Sequence, residues 1–256
     1  MVKIRGAQEG DRAEIEFVCE FNRGKFAGFT RVNFPGESDI VAIRVTSHQY
    51  STTSETKVKP KSDAFLVSSN ELAQLLRQRN YYLDESDLKR HKHRVLRESG
   101  ISIKKPDSKT YQIHKFTPTS FLSVFGDRFL GAGALVYIDN LSNGSENRQI
   151  IEAWGISVDE FLIKYSTLLG LNQEDLNHSF SEVQKYCLAH IKNLILKDQS
   201  ILELVFTGRG IFAAPYFVTY GYIGGELEPI RHTDFYVTQG SNRKANPTIV
   251  IKPKLG

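Results

Sequence analysis

Asp63, closing Pro60-Lys61-Ser62-Asp63, and Lys104, closing Ile101-Ser102-Ile103-Lys104, are the residues whose types and settings could carry hydrolytic chemistry. An acid at the mouth of a strand can hold a divalent metal, which takes hard oxygen ligands and lowers the pKa of a water. An ammonium beside it can stabilise charge developing on a phosphoryl group or help position the attacking water. The Ile103 backbone carbonyl would add a ligand, and Ser102 would take the remaining inner position, directly or through water. Glu14 offers a second carboxylate, with Glu16 as its fallback. The plain alternatives are a turn or cap residue for Asp63 and the polar flank of an amphipathic helix for Glu14.

The spacing of apolar residues indicates what would hold these groups. Residues 10–21 predict a helix with Ile15, Val18 and Cys19 as its stripe and Glu14 beside it. Strands are expected over 28–34 and 40–46, the second half-buried, followed by a polar loop over 47–61. Ala64-Phe65-Leu66-Val67 is a strand with Asp63 at its start, and Ser68 with Glu71 predicts a capping box for a helix through Leu72, Leu75 and Leu76. The charged run 84–97 reads as helical, and Ser99-Gly100 breaks it before the strand 101–104. Alternation there sends Ser102 and Lys104 to one face and both isoleucines to the other.

Further helices are predicted over 117–125, 157–168 and 179–197, with Ser157/Glu160 and Ser179/Glu182 as capping boxes. Strands are predicted over 201–206, 212–222, 235–238 and 248–251. This order predicts an α/β fold, a central mixed β-sheet flanked by helices, as a single domain over 1–256.

The composition fits one substantial core: 256 residues, 40% hydrophobic and 24% charged. No apolar run reaches a membrane-spanning length and the first residues lack a signal-peptide core, so a cytoplasmic protein without membrane association is expected. Cys19 and Cys187 read as buried free thiols rather than zinc ligands. The net charge of +4 permits a polyanionic partner, with basic clusters at 57–61, at 89–105 and from Arg231 onward. Each cluster equally fits a solvated surface.

The Ser-Asp followed by Ser-Ile-Lys resembles the PD-(D/E)xK nuclease motif, with Ser102 where that motif usually has an acid. Three regions are similar to the small type II restriction endonucleases that cut GCGC and CCGG. Gly10-Asp11-Arg12-Ala13-Glu14 resembles their N-terminal helix, whose Glu helps bind metal. Residues 60–63 with 101–104 resemble their catalytic pair, in which an amide replaces the second acid. Gly208-Arg209-Gly210-Ile211-Phe212-Ala213-Ala214 and Gln239-Gly240-Ser241-Asn242-Arg243-Lys244-Ala245 resemble C-terminal runs of these enzymes. Ser102 is neither acid nor amide, Ile211 replaces an acid, and residues 70–97 form a long insertion. Glu98 is the alternative second acid, against a plain solvated helix face.

The resemblance implies a restriction-endonuclease-like sheet with a catalytic core over about 1–125 and DNA-recognition strands over about 201–256. It implies Mg2+-dependent hydrolysis of double-stranded DNA at a short palindromic site, by a monomer or homodimer, with a cognate DNA methyltransferase protecting the host. Asp63, Ser102, Lys104 and Glu14 would be catalytic, with the metal on Asp63, Glu14 and the Ile103 carbonyl. A DNA-binding module that has lost cutting, and a junction resolvase-like nuclease, remain open alternatives.

Gln112 could orient the scissile phosphate, and Lys105 follows the catalytic strand towards the DNA backbone. Base edges are read by Arg, Asn, Gln and similar donors, which makes Arg209, Arg231, His232, Gln239, Ser241, Asn242, Arg243 and Lys244 the specificity candidates. Ordinary polar surface turns are the alternative. Tyr216, Tyr220 and Tyr222 at even spacing read as a packed sheet face. His91 and His93, two apart on an expected helix, share no face for a metal.

Overall fold

The computed structural model describes residues 9–104, 111–136, 146–176, 178–240 and 248–254. The chain begins with helices α1 (Glu9–Asn22) and α2 (Ala27–Asn33), then strands β1 (Ile40–Arg44), β2 (Gln49–Ser51), β3 (Ser54–Val58) and β4 (Ala64–Ser68). Next come α3 (Asn70–Leu75), α4 (Glu85–Leu88), β5 (Arg94–Val95), β6 (Ile101–Ile103) and β7 (His114–Phe116). A helical stretch follows: α5 (Pro118–Phe125), α6 (Arg128–Gly133), α7 (Glu146–Ala153), α8 (Val158–Leu169), α9 (Gln173–Leu176), α10 (Phe180–Lys197) and α11 (Gln199–Thr207). Strands β8 (Tyr220–Ile223), β9 (Glu226–Pro229), β10 (Phe235–Gln239) and β11 (Ile249–Pro253) close the chain.

The molecule is mixed α/β and packs as two compact units, Met1–Lys109 with Phe206–Arg231, and Thr110–Val205 with His232–Gly256. Unit 1 holds a mixed sheet in the order β1-β4-β6-β8-β9, with β5 also on β4. β4 runs antiparallel to β1 and β6, whereas β6 and β8 are parallel. Neighbouring residues of β1 and β4 go to opposite cores. Ala42, Ala64 and Leu66 join Phe17, Val18 and Phe21 of α1, while Val41, Ile43, Phe65 and Val67 join Leu72 of α3. Both faces are therefore covered, which is why the first four residues of β1 and of β4 are apolar rather than alternating. The predicted half-buried strand at β1 is in fact buried on both sides.

In unit 2, β10, β11 and β7 form an antiparallel sheet, and helices bury Phe121, Trp154, Phe161 and Phe180. Thr117 caps α5 with Pro118 at its first turn, and Ser157 with Glu160 forms the predicted box on α8. Among the described residues no helix is long and apolar enough to cross a membrane. Both cysteines are free thiols; Cys187 is buried, but Cys19 is only part-buried.

Several expectations are corrected. Residues 27–33 are helical, because Phe26 and Phe29, three apart, pack on the core that holds Tyr220 and Tyr222. Residues 201–206 belong to α11, whose first turn is held by Asp198 accepting from the Ser200 and Ile201 N–H groups. A mainly apolar run this short carries too little periodicity to separate helix from strand. The loop over 47–61 contains the β2–β3 hairpin, and the helix over 84–97 is only α4 followed by β5. Of residues 212–222, only those from Tyr220 onward form a strand, β8. Ser69, not Ser68, caps α3, and Ser179 makes no side-chain cap bond.

Candidate active site

Asp63 stands just before β4, locked into the sheet from both sides. Its N–H donates to the Ile101 carbonyl at 2.8 Å, and its own carbonyl accepts from the Val45 N–H at 3.0 Å. The side chain then has little freedom: Oδ2 accepts from the Ile103 N–H at 2.7 Å and from the Ser102 hydroxyl at 3.3 Å. β6 turns Ser102 towards Asp63 and Ile101 and Ile103 into the core, as alternation predicts. Gly100 is required where β6 begins, since a Cβ there would strike the Pro215 and Phe217 carbonyls. Burial pushes the Asp63 carboxyl up from its ordinary value, against the pull of the Lys104 ammonium and the Ile103 N–H.

Glu14 reaches the same place from α1. It lies on the helix's buried stripe, in line with Phe17, Val18 and Phe21 at intervals of three and four, and is itself only 6% exposed. The stripe is thus rotated from the predicted Ile15, Val18 and Cys19, and Glu14 is part of it rather than beside it. A carboxylate so placed needs partners. Arg44, ending β1, donates from Nε at 2.9 Å and lies at 2.8 Å through Nη2, both to Oε2, while Nη2 also meets Asp11 at 2.8 Å. The other oxygen, Oε1, accepts from Lys59 Nζ at 3.1 Å.

The same Lys59 ammonium lies 4.0 Å from Asp63 Oδ1. Burial acts to lower the Lys59 amine, and the Glu14 and Asp63 carboxylates outweigh it, leaving it above the ordinary lysine value. Part-buried Lys61 behaves oppositely: burial and the Lys104 ammonium push it well below that value. The Lys61 stem packs over Gly208, whose positive φ of 75° favours glycine.

Each carboxylate therefore commits one oxygen to protein donors and turns the other to a shared cation. This donor set suits Mg2+, which is commonly held by one or two carboxylates plus waters. Among the described residues no group of three or more His, Cys, Asp and Glu is placed to hold a metal. Any metal here would rest on this pair, backbone oxygen and water. The Ser102 hydroxyl acts as a donor to Asp63, and Ile103 contributes through its N–H.

Within unit 1, the two described residues expected to contact DNA, Arg209 and Arg231, pair with acids other than Asp63 and Glu14. Arg209 makes a two-pronged pair with Glu98, at 3.2 and 2.7 Å, and covers the Phe217 ring. Glu98 is thereby held below its ordinary value by the Arg209 hydrogen bond. Arg231 is exposed and lies 3.3 Å from Glu228, also within unit 1. Gln112, His232 and Gln239 belong to unit 2. Gln112 is exposed ahead of β7, and His232 lies 3.3 Å from Glu203. Gln239 ends β10, its amide donating to the Ala134 and Val136 carbonyls at 3.2 Å rather than being held free for a base. Lys105, Ser241, Asn242, Arg243 and Lys244 lie outside the described residues.

Sequence reasoning missed Arg44 and Lys59. The usable signal for Arg44 was a lone charge ending an apolar strand, which predicts a buried acid as partner. Lys59 carried no comparable signal within its basic cluster. Tyr220 and Tyr222 pack the face of the sheet against Phe29 and Phe17, as expected, whereas Tyr216 packs against Phe65. No protein-family model, curated protein or solved structure matches the chain.

Proposed function

We propose that this chain is a Mg2+-dependent type II site-specific deoxyribonuclease, hydrolysing phosphodiester bonds in double-stranded DNA at a short palindromic site on a restriction-endonuclease-like sheet. One observation carries the reading: Glu14 Oε1 and Asp63 Oδ1, from separate elements, both face the Lys59 ammonium, a position a divalent metal could take, and the Lys104 ammonium just beyond β6 acts on Asp63. The excess of positive charge also favours unit 1, which has 22 Lys and Arg against 17 Asp and Glu, while unit 2 has 11 against 12. A polyanionic substrate fits that distribution.

Mg2+ bound between the carboxylates would polarise the scissile phosphoryl group and acidify the attacking water. Glu14 and Asp63 would hold it through the oxygens that Arg44, Ser102 and Ile103 leave uncommitted. Ser102 and the Ile103 N–H fix Asp63 in one orientation. Serine in this place also avoids a second carboxylate against Oδ2, whose repulsion would push Asp63 still further up. Lys104 would stabilise the negative charge that grows on the phosphoryl oxygens as water attacks in line.

The test offers supercoiled plasmid and a synthetic four-way junction to the protein with Mg2+, Mn2+, Ca2+ or EDTA. Discrete plasmid cleavage with Mg2+ or Mn2+ and none with EDTA is expected. Binding without cutting under every metal would replace the reading with a DNA-binding module. Cutting that depends on the branch and ignores sequence would replace it with a resolvase-like nuclease.

A further inference from the structure

Lys59 is the charged group at the site that the proposed chemistry leaves without a role. Its ammonium is the one that both uncommitted carboxylate oxygens face, 3.1 Å from Glu14 Oε1 and 4.0 Å from Asp63 Oδ1. The remaining oxygens are fully engaged, Glu14 Oε2 by Arg44 and Asp63 Oδ2 by Ser102 and Ile103. Lys59 is also the most exposed member of this set. Its side chain is 54% exposed, whereas those of Arg44 and Glu14 are 15% and 8% exposed. It sits just beyond β3 of the exposed hairpin, on a flexible four-carbon stem, and can leave for solvent without disturbing a core.

We infer that Lys59 is a positioning residue that fills the cation position in the metal-free protein, holding Glu14 and Asp63 in register, and that a divalent metal displaces its ammonium into solvent. The inference rests on the metal reading of the site and adds to it a named competitor. Two negative carboxylates brought together would repel, and the Lys59 ammonium offsets that repulsion before metal arrives. A half-exposed ion pair is weak enough for a divalent ion to outcompete.

The experiment uses the intact protein and Mn2+ alone. Free Mn2+ is counted by electron paramagnetic resonance, and lysine reactivity is followed by brief acetic anhydride labelling and mass spectrometry. Lys59→Met should bind Mn2+ about three- to tenfold more tightly than the parent protein, the range set by removing one weak competing pair, and Lys59→Arg should restore the parent affinity. In the parent protein, saturating Mn2+ should raise Lys59 labelling several-fold, while exposed Lys57 serves as an unchanged internal reference. Removal of a nearby charge alone would tighten Mn2+ without altering Lys59 labelling. Mn2+ binding with unchanged or reduced Lys59 labelling would thus overturn the inference and leave the metal reading standing. Failure of parent and variants alike to bind Mn2+ would overturn both.

Discussion

Replacing Arg44 by Met tests whether Glu14 is held as a buried anion. Arg44 places Nε and Nη2 at 2.9 and 2.8 Å from Glu14 Oε2, with side-chain exposures of 15% and 8%. Hydrogen bonds to charged groups contribute about 1.5 to 3 kcal/mol each. Removing one partner of a buried pair costs about 3 to 5 kcal/mol, since the other is left charged and dry. Lys59 still meets Oε1 at 3.1 Å, which moves the expectation to the low end, about 3 kcal/mol. Glu14→Gln added to Arg44→Met should recover about 2 kcal/mol, because the stranded charge is gone. The assay is hydrogen exchange at the amides of β1 and β4, since Trp154, the sole tryptophan, lies in unit 2 and reports on the other unit. A single-variant loss under about 1 kcal/mol, or a double variant that costs the sum of the singles, would mean that Glu14 is not held as a buried anion by Arg44.

Lys104→Ala should lower Mg2+-dependent cleavage by about a hundredfold or more while leaving duplex binding in Ca2+ within a few-fold, and equal losses in both assays would remove its transition-state role. Ser102→Ala, which takes one long hydrogen bond from Asp63, should cost about three- to tenfold in cleavage rate and little in stability. Because burial raises the Asp63 carboxyl, it takes up its proton at a pH where an ordinary aspartate is still ionised, so Mn2+ affinity should begin to fall at a higher pH on acidification. The same raised carboxyl contributes stability below the unfolded value and loses it as pH rises through the folded one. Asp63→Asn should therefore stabilise the metal-free protein at about pH 8 but not at about pH 4, and urea midpoints that move the other way would contradict the assigned direction.

What the sequence disclosed was local. The meeting of Asp63 with Ser102 was legible because turn residues and period-2 alternation fix a strand start and its facing side chains, and β4 and β6 bring the two together. Glu14 was found by resemblance, yet the spacing Glu14, Phe17, Val18 and Phe21 already marked it as a buried acid. Arg44 and Lys59 were not legible, since they meet Glu14 across 30 and 45 residues of chain, and pairings of that range depend on the assembled sheet. The helices α2 and α11 were misread as strands where aromatic and β-branched propensity met a packing demand that outweighed it. Gln239 and Arg209 look like base readers as residue types, but the fold engages one with backbone carbonyls and the other with Glu98.

Incubation of purified protein and its Lys104→Ala variant with phage genomic DNA and Mg2+, followed by sequencing of the fragment ends, tests whether this protein is a site-specific nuclease. Discrete fragments whose ends share one short palindromic motif are expected from the parent and not from the variant. Intact DNA with both proteins would contradict a nuclease, and equal cutting by both would contradict the site built on Asp63, Glu14 and Lys104.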